Sequence, residues 1–360
     1  MHAAHYNAWL GRDQKRPAEC ASPAPPYADA LADRELLAAL ESRDRPYSPA
    51  ELERYLICPY LYYCEKLLEL QPLEREIAPV DYGLLLHDVL ARLYRDLHEQ
   101  GRGAVDVAAL DPEQVVARAW ELLDECLMRQ PRFANLPGAQ RDIERQSLHG
   151  ILTRFLCADL EQTAKRDLRP AYFELQFGSP RRSSADERSQ PGPLDLGTTG
   201  ERSVLIAGRM DRVDLTPEGA ALIVDYKLGK DTPDMRGVKD GLLFQAPLYA
   251  MAAREIFGLD LAGAEYVSLR SGERKGMYRD PSLPLRKSGH NLILSDDDFD
   301  ATLTGAANAA RACIERIRRG EMPRGPRDEC PTYCAYRSIC RMDAWTLRRI
   351  QAERGTRDAG

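Results

Sequence analysis

Two runs of β-forming residues, Val204–Leu215 (VLIAGRMDRVDL) and Ala220–Tyr226 (AALIVDY), flank the segment Thr216-Pro217-Glu218-Gly219. Pro and Gly at that point favour a tight reversal, so the sequence predicts a hairpin. No other feature limits the fold as strongly, because antiparallel pairing about the turn decides which residues face each other. It sets Asp211, on the first strand, within one residue of Asp225, near the end of the second. Two carboxylates that close repel unless a cation lies between them, and oxygen donors suit a hard divalent ion such as Mg²⁺ or Mn²⁺. Lys227 follows Asp225 by two residues and points to the same face by strand alternation. It would place an ammonium beside an attacking water or a scissile phosphate. On its own, Asp-x-Lys most often marks a solvent-facing ion pair. Here Leu222-Ile223-Val224 precedes Asp225, and an uninterrupted apolar run suits a covered central strand, where unpaired charge is costly.

Around the hairpin the chain changes character. The first half reads as helical. Ser48-Pro49-Ala50-Glu51 has the form of a capping box and opens a helix with Leu52, Tyr55, Leu56 and Tyr62 on its apolar positions. A second helix follows Tyr82-Gly83, with Leu86, Val89, Leu90, Leu93 and Leu97 at helical spacing, and two more are expected over 112–129 and 138–166. The second half adds a strand at Ala171–Phe177, a helix over Leu242–Phe257, a strand at Ala264–Leu269 and a long helix over Asp297–Arg319. This order predicts an α/β core, a mixed central sheet flanked by helices, behind a helical N-terminal half. Residues 1–45 read as a weakly ordered arm with room for one helix from Asp29 to Glu41. Residues 181–203 read as a long exposed loop and 346–360 as a polar tail. Length alone allows about two domains at roughly 150 residues each. The motifs instead favour one elaborated domain over 46–345.

Further polar residues fit the pocket that the hairpin defines. His87 lies near the start of the second helix. A lone His there is commonly a surface or capping residue, yet a neutral imidazole could complete a metal shell. Glu174 interrupts the apolar strand Ala171–Phe177 and either serves the site or faces solvent. Gln245 and Tyr249 are i, i+4 on one helix face. The ordered set Gly83-x-x-x-His87, Glu174, Gly208-x-x-Asp211-Arg212-x-Asp214, Asp225-Tyr226-Lys227 and Gln245-x-x-x-Tyr249 resembles the PD-(D/E)xK nuclease superfamily over roughly 45–345. It is closest to the RecB-like branch that includes AddB-type nucleases, although Met210 stands where the family's Pro would be. The resemblance implies a restriction-endonuclease-like fold and a metal-dependent deoxyribonuclease, with exonuclease action favoured, in DNA repair or recombination. It implies that His87, Asp211 and Asp225 bind the divalent metal and that Lys227 orients or activates water. Gln245 and Tyr249 would support the site and the DNA backbone, with Glu174 in a less defined role.

Nine cysteines, an odd number in a chain expected to be cytoplasmic, argue against a disulfide framework. Cys330, Cys334 and Cys340 form a C-x3-C-x5-C cluster, one thiol short of the usual four-ligand centre. The fourth ligand is expected to be Cys58, with Cys64 on the same helix as its rival. Cys126, Cys157 and Cys313 read as small buried residues, and Cys20 lies in the arm. One early cysteine with three near the C-terminus is similar to the iron–sulfur staple of AddB-type nucleases, which implies a [4Fe–4S] cluster. The extra residue between Cys330 and Cys334 departs from that pattern and leaves zinc as the alternative. Either centre would tie the first core helix to the last segment and close the domain.

The composition supports a sizeable core, at 44% hydrophobic and 29% charged. No run of 18 apolar residues suggests a membrane span, and Met1–Lys15 lacks a secretory apolar stretch. The net charge of −6 argues against coating nucleic acid by bulk charge. Local basic stretches remain for phosphate contacts: Arg181-Arg182, Arg270–Lys275, Arg286-Lys287 and Arg316–Arg327. Each reads equally well as a solvated charged face, and Tyr266 and Tyr278 could stack on bases or be buried. Gly229-Lys230 is followed by Asp231, so there is no phosphate-binding loop and no motor. The expected partners are therefore DNA and, where unwinding is needed, a separate helicase subunit. Two other readings remain: a CRISPR-adaptation-type iron–sulfur exonuclease, and a non-catalytic iron–sulfur DNA-binding subunit.

Overall fold

The computed structural model describes residues 31, 34–42, 45–70, 77–180, 185–200, 202–280, 283, 291–327, 329–331, 334–340, 342 and 347–348. Cys20, Arg181-Arg182, Arg286-Lys287, most of the expected arm and nearly all of the expected tail lie outside them. The longer helices are α1 (Arg34–Glu41), α2 (Pro49–Ile57), α3 (Pro79–Gly101), α4 (Pro112–Arg129), α5 (Gly138–Lys165), α6 (Gln245–Glu255) and α7 (Asp296–Arg318). The strands are β1 (Arg169–Phe177), β2 (Leu194–Thr199), β3 (Arg202–Ile206), β4 (Gly208–Leu215), β5 (Ala221–Lys227), β6 (Leu261–Ser268), β7 (Arg274–Arg279) and β8 (Leu292–Leu294).

Local chemistry explains the helix starts. Ser48 Oγ accepts from Glu51 N at 3.1 Å, with Pro49 at the first position of α2. Asp81 Oδ2 accepts from Ala78 N at 2.9 Å and starts α3 at Pro79, so Tyr82 and Gly83 lie inside that helix rather than before it. The expected helices at 112–129 and 138–166 are α4 and α5.

Six strands form one mixed sheet in the order β1-β4-β5-β6-β7-β8. The hairpin is present: β4 and β5 pair antiparallel with Arg212 opposite Val224 and Val213 opposite Ile223. β5 and β6 are parallel, and α6 supplies the crossover that a parallel pair requires. Alternation along β5 feeds two cores. Ala221 and Ile223 face a layer built on α2, α6 and α7, while Leu222, Val224 and Tyr226 face a layer of α3, α4 and α5.

Three expectations about this region need correction. The run Val204–Leu215 is two strands, broken at Ala207, because Tyr47 takes over the backbone pairing there. Ala207 N donates to Tyr47 O and Tyr47 N donates to Leu205 O, both at 2.8 Å. The expected loop 181–203 contains β2, which pairs with β3 in a two-stranded sheet and buries Leu194 and Leu196. A run that short among Gly, Pro and Ser gives little periodic signal. The helix expected near the end of the arm is present as α1, but it is not part of a loose arm, since its Leu40 is buried in the core. Among the described residues no helix is long and apolar enough to cross a membrane.

Candidate active site

The ladder between β4 and β5 ends at Arg212 and Val224, while β4 stays paired to β1 as far as Gly208 and β5 stays paired to β6 through Lys227. Asp211 and Asp225 occupy the next rung, at the fork where the two strands part. Both are buried. Asp211 Oδ2 accepts from Tyr226 N at 2.9 Å, and Asp211 Oδ1 lies 3.3 Å from Nδ1 of His87, which projects from α3. Asp225 Oδ2 lies 2.6 Å from Lys227 Nζ. The same ammonium donates to Gln245 Oε1 at 2.5 Å and sits 5.1 Å over the Tyr266 ring.

Glu174 stands on β1 at the rung facing Asp211 and has a left-handed backbone, with φ +59°. That conformation is strained for a residue with a Cβ and is found where surrounding contacts enforce it. Asp186 does so here: its amide donates to Glu174 O, and its carboxylate accepts from Phe173 N, both at 3.3 Å. The Glu174 carboxylate pairs with Arg209. Tyr249 packs edge-on to Phe177, and its hydroxyl is hydrogen-bonded to the Gln245 side chain and the Arg209 backbone. Thus His87, Glu174, Asp211, Asp225, Lys227, Gln245 and Tyr249, drawn from four different stretches of the chain, gather at one fork.

Their protonation is tuned apart. Burial pushes the Glu174 carboxyl up to about 7 against the pull of Arg209. Burial also raises Asp225, only partly offset by Lys227. Asp211 goes the other way: burial opposes its charge, but His87 and the Tyr226 amide hold it low. His87 is correspondingly raised: burial opposes its charge, but Asp211, with Asp225 and Glu174, together outweigh it. Two neighbouring carboxylates pushed in opposite directions make a site that a cation would rebalance, and a bound ion would favour the charged form of both. Among the described residues no three His, Cys, Asp or Glu side chains stand close enough to cage an ion as they are, since Asp225 turns to Lys227. The donor set, one imidazole nitrogen and clustered carboxylate oxygens, nonetheless fits a hard divalent ion.

Behind the fork lies a buried ionic cluster. Arg212 pairs with Asp159 of α5 and Asp214 of β4, and its Nη1 donates to the Tyr226 hydroxyl at 3.0 Å. Arg274 pairs with Asp159 and Glu265, and Arg166 with Glu265. The basic stretch Arg270–Lys275, open between a phosphate contact and a solvated face, instead turns Arg274 into the protein, from β7. Arg318, from the stretch Arg316–Arg327, is also buried and donates to Thr199 Oγ1 and Ser203 O, both at 2.9 Å. Tyr266 and Tyr278 are buried, which leaves neither ring open for base stacking.

The cysteines are placed as a second group. Cys58, Cys330, Cys334 and Cys340 line one cavity, whereas Cys64, buried nearby, does not line it. All four are free thiols; four cysteines on one cavity are the ligand number of a four-thiolate centre, although as they stand no three are close enough to hold an ion. Cys126 and Cys313 are buried as expected, but Cys157 is exposed. One polar residue at the site had no signal in the sequence: Glu53 of α2, whose Oε1 accepts from Phe244 N at 2.7 Å and Gln245 N at 3.0 Å.

Residues 46–341 match the family model of the PD-(D/E)XK nuclease superfamily. The chain belongs to that superfamily. Among curated proteins, this PD-(D/E)XK chain is similar to three that are each named as a subunit of an ATP-dependent helicase/deoxyribonuclease. The protein from Symbiobacterium thermophilum is 26% identical, over 86% of this chain and 30% of its own length. The one from Lacticaseibacillus casei is 31% identical over 62% of this chain and 19% of its own length. That from Moorella thermoacetica is 28% identical over 66% and 20%. The chain thus spans less than a third of the length of these relatives. PD-(D/E)XK nucleases typically use divalent metals such as Mg²⁺, in keeping with the donor set at the fork.

Proposed function

We propose that the chain is a Mg²⁺- or Mn²⁺-dependent deoxyribonuclease that hydrolyses phosphodiester bonds at DNA ends or in single strands, as an exonuclease, during repair or recombination. The observation that carries this reading is the fork itself: two buried aspartates of opposite protonation tendency, with one ammonium fixed beside them. His87, Asp211 and Asp225 would hold the ion. When bound it would lower the pKa of the attacking water and neutralise charge on the phosphate. Lys227 would keep its proton against Asp225 and Gln245 and direct the ammonium at that water or at a phosphate oxygen. Glu174, its proton held to about neutral pH, is suited to accept or return a proton at the site's edge. Tyr249 would hold Gln245 and the Arg209 backbone in place.

The relatives' names support DNA as substrate and a helicase as partner. Cys58, Cys330, Cys334 and Cys340 would hold a [4Fe–4S] cluster, with zinc the less favoured occupant, and the centre would tie the end of α2 to the C-terminal segment. Incubating the full chain with end-labelled single- and double-stranded DNA tests the catalytic reading. Mg²⁺ or Mn²⁺ should support progressive loss of label that EDTA stops, while closed circular DNA survives. Intact substrate under every metal condition would contradict it, and cutting of closed circles would overturn exonuclease action.

A further inference from the structure

Helix α6 begins without a cap of its own. Its N-cap residue is Phe244, which has no side-chain acceptor, so its leading amides need oxygens from elsewhere. They find them in tertiary structure. Glu53 Oε1, from the middle of α2, takes the amides of Phe244 and Gln245, across 191 and 192 residues of chain. Ala246 N donates to the Tyr266 hydroxyl on β6 at 3.2 Å. A half-buried carboxylate serving as a helix cap at such a distance in sequence is hard to explain by stability alone, since a local Ser or Asp at position 244 would do the same without the desolvation.

What distinguishes this helix end is what it carries. Gln245, whose amide Glu53 holds, is the residue whose Oε1 accepts from Lys227 Nζ. Lys227 has a flexible four-carbon stem, so its ammonium stays in place only through its external contacts. In contact with it are Asp225, Gln245 and the face of Tyr266, and the charges of Glu53 and Asp211 act on it from further off. Tyr266 thus meets both the capped helix end and the ammonium, and Glu53 meets the same end from α2, in the same layer.

We propose that Glu53 is a positioning residue for Lys227: by holding the first turn of α6 it fixes Gln245, and through Gln245 the ammonium, against the Asp211–Asp225 fork. The inference rests on the nuclease reading. It also makes α2, which runs on from Glu53 into Cys58, a link between the cysteine cavity and the site.

The test is steady-state cleavage of end-labelled single-stranded DNA by the full chain in Mg²⁺, together with amide exchange at Phe244 and Gln245. Glu53→Ala should lower kcat about tenfold or more, with KM within about threefold. The two amides should exchange about tenfold faster. Glu53→Gln keeps an acceptor oxygen and should recover most of both losses. The double variant Glu53→Ala/Gln245→Ala should be no slower than the slower single variant, because both act through one contact. If Glu53→Ala does not fold, Glu53→Asp, which shortens the reach by one methylene, should show the same losses in part. Unchanged exchange at the two amides, unchanged kcat, or losses that multiply in the double variant would overturn the proposal while leaving an active nuclease. A wild-type chain that cleaves no DNA would overturn the nuclease reading and this inference with it.

Discussion

Arg212 grips the Asp159 carboxylate through both terminal nitrogens, at 2.6 and 3.3 Å, where neither side chain touches solvent. The same guanidinium reaches Asp214 and Tyr226. Arg212 follows Asp211 directly, so the pair locks β4 to α5 immediately behind the candidate metal ligand. Removing one partner of a buried ion pair strands the other charge. Arg212→Ala should therefore destabilise the chain by about 3–5 kcal/mol in urea unfolding. Arg212→Lys should recover little, because an ammonium cannot make the forked contact.

The same cluster sets an acid limit. Burial works against the charge of Asp159 and Glu265, but Arg212 and Arg274 for the first, and Arg274 and Arg166 for the second, hold both carboxyls down at about 2. Unfolded Asp and Glu titrate near about 3.9 and 4.3. Folded values depressed in this way contribute stability that is fully present above about pH 4 and is lost as pH falls through about 2. Denaturant unfolding from about pH 5 to pH 2 should show a steep loss of a few kcal/mol. Asp159→Asn should be less stable at the upper end and flatter across that range.

Gly208 is where the site depends on the absence of a side chain. A methyl there would lie 2.6 Å from Tyr249 Cε1 and 3.0 Å from Phe177 Cζ. Gly208→Ala should cost about 1–3 kcal/mol by overpacking and lower cleavage by displacing Tyr249. In a Tyr249→Ala background the same substitution should cost less, since the nearer of the two obstructing rings is gone and only Phe177 remains to give way. Thermal melts of the four proteins check this.

The cysteine assignment separates by variant. Purified anaerobically, the chain should carry iron, sulfide and visible absorbance. Cys58→Ser, Cys330→Ser, Cys334→Ser and Cys340→Ser should each lose them, while Cys64→Ser and Cys157→Ser should keep them. A colourless chain with stoichiometric zinc would replace the cluster by the alternative centre.

Much of this arrangement was readable in the sequence because it rests on short-range periodicity. A turn at Pro217–Gly219 and a period of two are enough to bring Asp211 beside Asp225 and to point Lys227 the same way. Helical spacing likewise located α3, α4, α5 and α7. What escaped depends on partners far along the chain. Nothing local distinguishes Glu53 from an exposed helix charge, since its acceptor role comes from amides beyond residue 240. Arg274 reads as a basic surface residue until β7 is seen to turn it toward Glu265 and Asp159. The break at Ala207 exists because Tyr47, from the N-terminal side, inserts itself into the pairing. Glu174 was visible as an interruption in a strand, but its left-handed backbone was not.

The most direct test of the central claim compares wild type with Asp225→Ala and Lys227→Ala on end-labelled DNA in Mg²⁺, each variant first matched to wild type in melting temperature. If the fork is the catalytic centre, wild type digests the DNA and each variant is slower by about 10³-fold or more, given what single electrostatic groups contribute to such reactions. Folded variants that cleave at the wild-type rate would contradict it.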